Sequence, residues 1–363
     1  MFSLTRQKKT GSVVGLDIEA GSIAALEVRS NGTVELAASA IGPLAPGAFH
    51  EGEVVDPDSL AEGLKSLFSE HKLSKQVRLG IGNQRVVVRT LRLPAIEDPK
   101  EMEAAVRFQA QEQMPMPLDQ AVLEYQVVGG VPAEEGAAPQ LDVIVIAARR
   151  DMVSSFLAPL RRAGLEPVGV DLAAFGMIRA LAGAEEIAGG EVEGAGPGHS
   201  AAAVLYCNAG DVTNLAVARD RSCLFTRVSH VGLEQISSRL AGARGMSPEQ
   251  AAEWLAYVGL ERPVEDIEGD PETVAEARRS LEEGVSALVD ELRLSLDYYA
   301  AQEAAVPVER IVLCGPGSAL PGMAERMEGM GLPIAVSHPA ALAGLGEAAA
   351  ARLTLPFGLA LES

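Results

Sequence analysis

Val13-Val14-Gly15-Leu16-Asp17-Ile18 and Ile23-Ala24-Ala25-Leu26-Glu27-Val28 are two short runs rich in apolar and β-branched residues, joined by Glu19-Ala20-Gly21-Ser22. Runs of that length around a glycine-bearing turn read as a β-hairpin. A second turn at Asn31-Gly32 leads into residues 33–41, and Asn-Gly between such runs signals a further hairpin because both residues tolerate a left-handed backbone. The three runs therefore form a meander. Asp56 followed by Pro57 marks a helix start with proline in the first turn, and Leu60, Leu64, Leu67 and Phe68 fall on one stripe. This β-β-β-α unit is the key to the remainder of the chain.

Strand-like runs follow at 77–81 and 85–93. Asp98-Pro99 opens a helix that runs to about Gln113 and is stopped by Pro115 and Pro117. Runs at 121–128 and 141–148 flank a Gly-, Pro- and Ala-bearing loop, and a helix over 151–163, a strand over 167–171 and a helix over 172–182 complete the first half. The Gly- and Glu-rich stretch to Ser200 is the best boundary in the chain. Beyond it, runs at 201–207, 213–218 and 222–228 repeat the opening meander, and a shift of 190 positions lays Gly15-Leu16-Asp17-Ile18 on Leu205-Tyr206-Cys207-Asn208. The order of strands and turns, more than the letters, points to a duplicated fold. The second half then turns helical over 233–241, 248–258 and about 271–304, where Leu281, Val285, Leu288, Leu292 and Leu296 form one stripe suited to core packing. A buried strand over 310–314 leads into Gly315-Pro316-Gly317-Ser318-Ala319-Leu320-Pro321-Gly322, and a small helix is expected over 353–361.

A chain of 363 residues suits two or three domains at about 150 residues each. Aromatic residues are only 4%, so the cores must rest on Ala, Leu, Val and Ile. Fifty acidic against thirty basic residues give a formal net charge of −20, which repels phosphate backbones and anionic lipid surfaces and argues against nucleic-acid binding. No run reaches the roughly 18 apolar residues of a membrane span. Arg6, Lys8 and Lys9 lack the apolar segment of a secretory signal. Cys207, Cys223 and Cys314 are odd in number and widely spaced, and the five histidines show no ligand-pair spacing, so inert buried thiols, a reducing compartment and no zinc are expected. The expected setting is the cytoplasm.

A strand that ends in an acid and enters a tight turn can offer backbone N–H groups to a phosphate. Asp17, Gly21 and Ser22 stand in that arrangement, and Gly210, Asp211, Thr213 and Asn214 form a second turn opening the other half. Taken singly, each also reads as an ordinary hairpin, but two such turns, one per half, form a pair. Gly315, Gly317 and Ser318 follow an apolar strand; glycines there admit a close-approaching nucleoside or simply make a helix-opening turn. Leu320 stands where a dinucleotide fingerprint needs its third glycine, and no Gly-Lys-Ser/Thr follows. No G-x-S-x-G elbow is present.

Val14-Gly15-Leu16-Asp17-Ile18, Gly210-Asp211-Val212-Thr213-Asn214-Leu215, the loop from Gly315 to Gly322 and Pro356-Phe357-Gly358-Leu359-Ala360-Leu361 together resemble the PilM family, actin-like proteins of type IV pilus assembly, and more distantly the FtsA family. Leu93-Pro94, Met114-Pro115-Met116-Pro117 and the stretch from Ala163 to Asp171 resemble that family's inserted SHS2-type subdomain. The resemblance implies an α/β, actin-like fold of two ribonuclease-H-like halves around a nucleotide cleft. Residues 10–82 with 167–183 would make the first half, 83–166 the insert, 184–200 a linker, and 201–363 the second half with a helical subdomain at about 231–305. It implies ATP with Mg²⁺ bound by Asp17, Gly21, Ser22, Gly210, Asp211, Thr213, Asn214, Gly315, Gly317 and Ser318, with Asp17 and Asp211 reaching the metal through water. It also implies, as partners, the cytoplasmic tail of a PilN-like bitopic membrane protein, which would recruit the chain to the inner face of the membrane, and the pilus motor ATPases. The departures fall at the chemistry: Glu19 replaces the glycine of the first phosphate motif, Ala24 its lysine, and Cys207-Asn208-Ala209-Gly210 stands where the family reads Asp-Ile-Gly-Ala. An adaptor with ATP as a structural or switching ligand is therefore expected before an active ATPase, a small-molecule kinase or an FtsA-like filament former.

Overall fold

The first meander is present as β1 (Val13–Glu19), β2 (Ser22–Ser30) and β3 (Val34–Pro43). The computed structural model describes residues 12–30, 34–131, 139–182, 202–302 and 305–361; the Asn31-Gly32 turn and the 184–200 linker lie outside them. A short hairpin, β4 (Phe49–His50) with β5 (Glu53–Val54), follows. Its two turn residues, Glu51 and Gly52, have φ of 48° and 77°, the pair of positive angles that a two-residue hairpin turn needs. Helix α1 (Pro57–His71) starts where Asp56 accepts from the amides of Asp58 and Ser59 at 3.0 and 3.2 Å.

Strand β6 (Gln76–Ile81) lies parallel to β1, and β10 (Glu166–Leu172) parallel to β6, giving the order β10-β6-β1-β2-β3. Between them the chain builds a separate antiparallel sheet of β7 (Val87–Pro94), β8 (Ala121–Val131) and β9 (Gln140–Arg149) in the order β7-β9-β8. Helix α2 (Pro99–Gln113) buries Met102, Val106 and Ala110 against it. Helix α3 (Arg150–Arg162) returns to the first sheet with Met152, Phe156 and Leu160, joining Val14, Leu16, Ile18, Leu60 and Leu64 in one outer core. Helix α4 (Ala173–Leu181) closes the half.

The second half repeats the plan. Strands β11 (Ala203–Ala209), β12 (Thr213–Arg219), β13 (Ser222–Ser229), β14 (Val308–Cys314) and β15 (Ile334–Val336) stand in the order β13-β12-β11-β14-β15. Helices α5 (Leu233–Arg244), α6 (Pro248–Val258), α7 (Pro271–Ala300) and α8 (Met323–Met327) cover its outer face. The 190-residue shift lays β1 on β11 end to end, but the side chains point oppositely. β11 sends Leu205, Cys207 and Ala209 into the outer helical core, so alternation along the strand makes Asn208, not Cys207, share the face of Asp17.

The last helix, α9 (Glu347–Ala360), is longer than the 353–361 expected, and every residue from Ala350 to Ala360 is buried. A helix apolar all round has no stripe to announce it. Helices α4 and α9 lie between the two sheets and exchange partners: α9 packs on β1, β2 and β6, and α4 on β12. They cross where Gly358 meets Gly176; a Cβ on Gly358 would lie 1.8 Å from the Gly176 carbonyl oxygen.

Candidate functional site

At the mouth of the cleft, the two-residue turn after β1 faces the turn between β11 and β12. Glu19 is directed inward, its side chain 14% exposed. The Asp211 N–H donates to Glu19 Oε1 at 3.3 Å, and the Ala20 N–H donates to Asp211 Oδ2 at 2.5 Å. Each turn thus satisfies an amide of the other with its own carboxylate. Gly210 makes this approach possible, since a Cβ there would stand 2.4 Å from Glu19 Oε1.

Arg352 reaches the same point from α9. Its guanidinium, 7% exposed, pairs with the Asp17 carboxylate and lies 3.1 Å from Glu19 Oε2. It also donates to Ser22 Oγ at 3.1 Å, the Ser22 carbonyl at 3.2 Å and the Asp17 carbonyl at 3.3 Å. Burial pushes the Glu19 carboxyl up to about 8 and Asp211 up to about 6. Burial works against the charge on Arg352, but Glu19 and Asp17 outweigh it and hold the guanidinium above its ordinary value. A second bridge joins the halves nearby. The Glu234 carboxylate on α5 meets His50 Nδ1 at 2.6 Å and accepts from the Glu51 N–H at 2.9 Å, and this bond raises the His50 pKa.

The structure brings together some of the residues expected from sequence and not others. Asp17, Asp211 and Asn214 line one cavity with Glu19 and Asn208. Asp17 pairs with Arg352 through Oδ2, and Asp211 Oδ2 accepts from the Ala20 N–H. Gly21 is in open space. The Ser22 Oγ accepts from Arg352 Nε. The fully buried Thr213 donates to the Val231 carbonyl at 2.6 Å. Gly315, with φ of 80°, and Gly317 press against the end of β11, where their Cβ atoms would meet Asn208 Oδ1 at 2.3 Å and Ala209 Cβ at 2.8 Å. Ser318 donates back to the Gly315 carbonyl at 2.7 Å. That loop serves strand packing, which is why its glycines are needed. Cys207 and Cys223 are buried thiols pushed up to about 12 by burial, as the sequence leads one to expect.

The sequence reading missed Arg352. Its signal was present: it is the one charged residue between Glu347 and Glu362 in a run of Ala, Leu, Thr, Pro, Phe and Gly. A lone cation in a buried helix needs a carboxylate partner.

The arrangement does not fit a Mg-triphosphate. The cavity measures about 30 Å³, room for one or two waters, whereas small-molecule pockets run to roughly 300–1,000 Å³. Asp17, Glu19 and Asp211 line it, with no Lys or Arg among its walls, and the nearby Arg352 guanidinium is already paired with Asp17 and Glu19, so these walls offer a polyphosphate no cation. Among the described residues no cluster of His, Cys, Asp and Glu suits a metal ion.

Two like-ordered sheets with exchanged inner helices and a cleft between their first turns define an actin-like protein. The chain belongs to the type IV pilus assembly protein PilM family, whose model matches residues 15–352. It is similar to a solved structure described as the PilM-PilN type IV pilus biogenesis complex, with a TM-score of 0.77, 26% identity, and 97% of this chain and 98% of that one covered. It is also similar to the ethanolamine utilization protein EutJ from Carboxydothermus hydrogenoformans, with a TM-score of 0.54 and 15% identity over 97% of this chain and 90% of that one. The second likeness speaks for the fold alone. No helix among the described residues is long and apolar enough to cross a membrane.

Proposed function

We propose that the protein is an adaptor of the type IV pilus inner-membrane assembly platform, which captures the cytoplasmic tail of a PilN-like membrane protein and is recruited to the membrane by it. Family membership and the whole-length likeness to a PilM-PilN complex support this reading. The observation that carries it is a groove of about 330 Å³ between two sheet edges, β7 and β13. Val86, Val88, Leu172, Thr226 and Val228 give it mixed apolar and polar walls, with Arg89 at one side. An extended tail lying there would gain main-chain hydrogen bonds from an edge strand and side-chain pockets from the walls. An ATPase or kinase reading has no support in the cleft, where the three carboxylates and Arg352 are engaged with the protein itself.

The test is capture by the immobilised cytoplasmic tail peptide of a PilN-like protein. Val88→Glu and Val228→Glu should each weaken capture about tenfold or more in protein that remains folded by circular dichroism at the assay temperature, while Phe108→Ala, exposed on α2 away from the groove, should not. Full-strength binding by both groove variants would refute the docking site, and an absence of binding by the unaltered protein would refute the adaptor reading.

A further inference from the structure

We propose that the chain closes its own cleft: Glu19, Asp211 and the Arg352 guanidinium form a clasp at the place the resemblance assigns to nucleotide phosphates, and the two halves are held together without Mg-nucleotide. This does not depend on the partner reading above. A carboxylate oxygen accepting from a turn amide does the same hydrogen-bonding work as a phosphate oxygen. Glu19 accepts from the Asp211 N–H and Asp211 from the Ala20 N–H, so amides of both turns that a phosphate would need are already satisfied across the gap. Arg352 supplies the positive charge that a metal or lysine would otherwise bring, and its position is fixed because α9 is buried over its whole inner length.

The substitution of Glu for the family's glycine at position 19 is what makes the clasp. With no side chain there, the Asp211 N–H and the Arg352 Nε would each lose an acceptor. Gly210 complements it, since any larger residue would meet the Glu19 carboxylate. The residue that looks electrostatically wrong for a phosphate turn is right for a turn that replaces the phosphate. The His50–Glu234 bridge closes a neighbouring part of the same gap.

The experiment is hydrogen exchange on the full, nucleotide-stripped chain, with and without millimolar Mg-ATP, accompanied by calorimetric titration. The unaltered protein should show slow exchange at Ala20 and Asp211 without nucleotide, no change on adding it, and no saturable heat. Asp211→Ala should speed exchange of both turns by about tenfold or more, and Asp211→Asn, which keeps an acceptor oxygen, should stay within about threefold of the parent. Saturable Mg-ATP binding by the unaltered chain, fast exchange at both turns until nucleotide is added, or an Asp211→Ala effect confined to its own turn would each overturn the proposal. Arg352→Lys serves as a second variant: it keeps the charge but loses the fork, and should speed both turns less than Asp211→Ala does.

Discussion

Arg352→Ala is the sharpest perturbation of this structure. The guanidinium makes an ion pair with Asp17, lies 3.1 Å from Glu19 Oε2 and donates three further bonds at 3.1–3.3 Å to Ser22 and the Asp17 carbonyl. Removing one partner of a buried pair costs about 3–5 kcal/mol, because the other charge is left uncompensated. The lower end applies here. The Glu19 carboxyl, pushed up to about 8, is protonated at neutral pH, so Asp17 alone is stranded as a charge. At roughly 2–4 °C per kcal/mol for a protein of this order of size, about 3 kcal/mol lowers the melting temperature by about 6–12 °C. Thermal denaturation at neutral pH measures it. Asp17→Asn added to Arg352→Ala should recover at least about 1 kcal/mol relative to the sum of the single changes, as residues in one network do. A melting point within about 2 °C of the parent, or strict additivity in the double variant, would refute the view that Arg352 anchors the cleft.

Further outcomes follow from the same geometry. Stability should fall as pH rises from about 4.5 to about 8: burial raises the Glu19 carboxyl from an ordinary 4.5 to about 8 in the folded state, so the folded state holds an extra proton in that window and its advantage is lost across it, at no more than about 1.4 kcal/mol per pH unit; denaturant titrations on Glu19→Gln should show a flatter dependence. Gly358→Ala should destabilise by about 1–3 kcal/mol, since the new methyl would overlap the Gly176 carbonyl where α4 and α9 cross. By contrast Gly242→Ala, in α5 with open space around it, should stabilise by roughly 0.5–1 kcal/mol in the same assay. Ser247→Ala removes the hydroxyl that accepts from the Gln250 N–H at 3.2 Å in the capping box at the start of α6 and should cost about 1 kcal/mol.

Much of the fold was legible because local chemistry and global plan agree. Asp56-Pro57, Asp98-Pro99 and Ser247-Pro248 each open a helix where their cap geometry requires it. The two meanders declared a duplication that the sheet orders bear out. The β4–β5 hairpin escaped because its strands are two residues each and its turn begins with Glu51, a residue that rarely signals a left-handed turn. The helix α9 was read short at its start because Glu347 to Ala351 is a run of alanines after one acid, which carries no apolar stripe and no capping side chain. The cleft was half legible. Position 19 stood out as a carboxylate facing a phosphate turn, but its partners Asp211 and Arg352 lie 192 and 333 residues away, and no local pattern links them. Strand phase was a further obstacle: a shift that matches the ends of β1 and β11 pairs an inward Asp17 with an outward Cys207.

The closed cleft bears on the groove. The strand β13 belongs to the second half and β7 follows directly from the first, so the width of the β7–β13 groove depends on how the halves are set. Among the features that hold them are the Glu19–Asp211 exchange, Arg352, the His50–Glu234 bridge and the crossing of α4 with α9. Asn214 ties the two regions directly, for it lines both the cleft cavity and the groove, and its amide oxygen would lie 2.4 Å from a Cβ on Gly82. A groove whose walls are fixed before the peptide arrives spares the ordering cost of assembling them. Variants that loosen the clasp should therefore weaken tail capture without touching the peptide. Asp211→Ala is the case to measure by the peptide-capture assay: a several-fold loss, restored in Asp211→Asn, would tie clasp and groove together, and undiminished capture would show that the groove keeps its shape without the clasp.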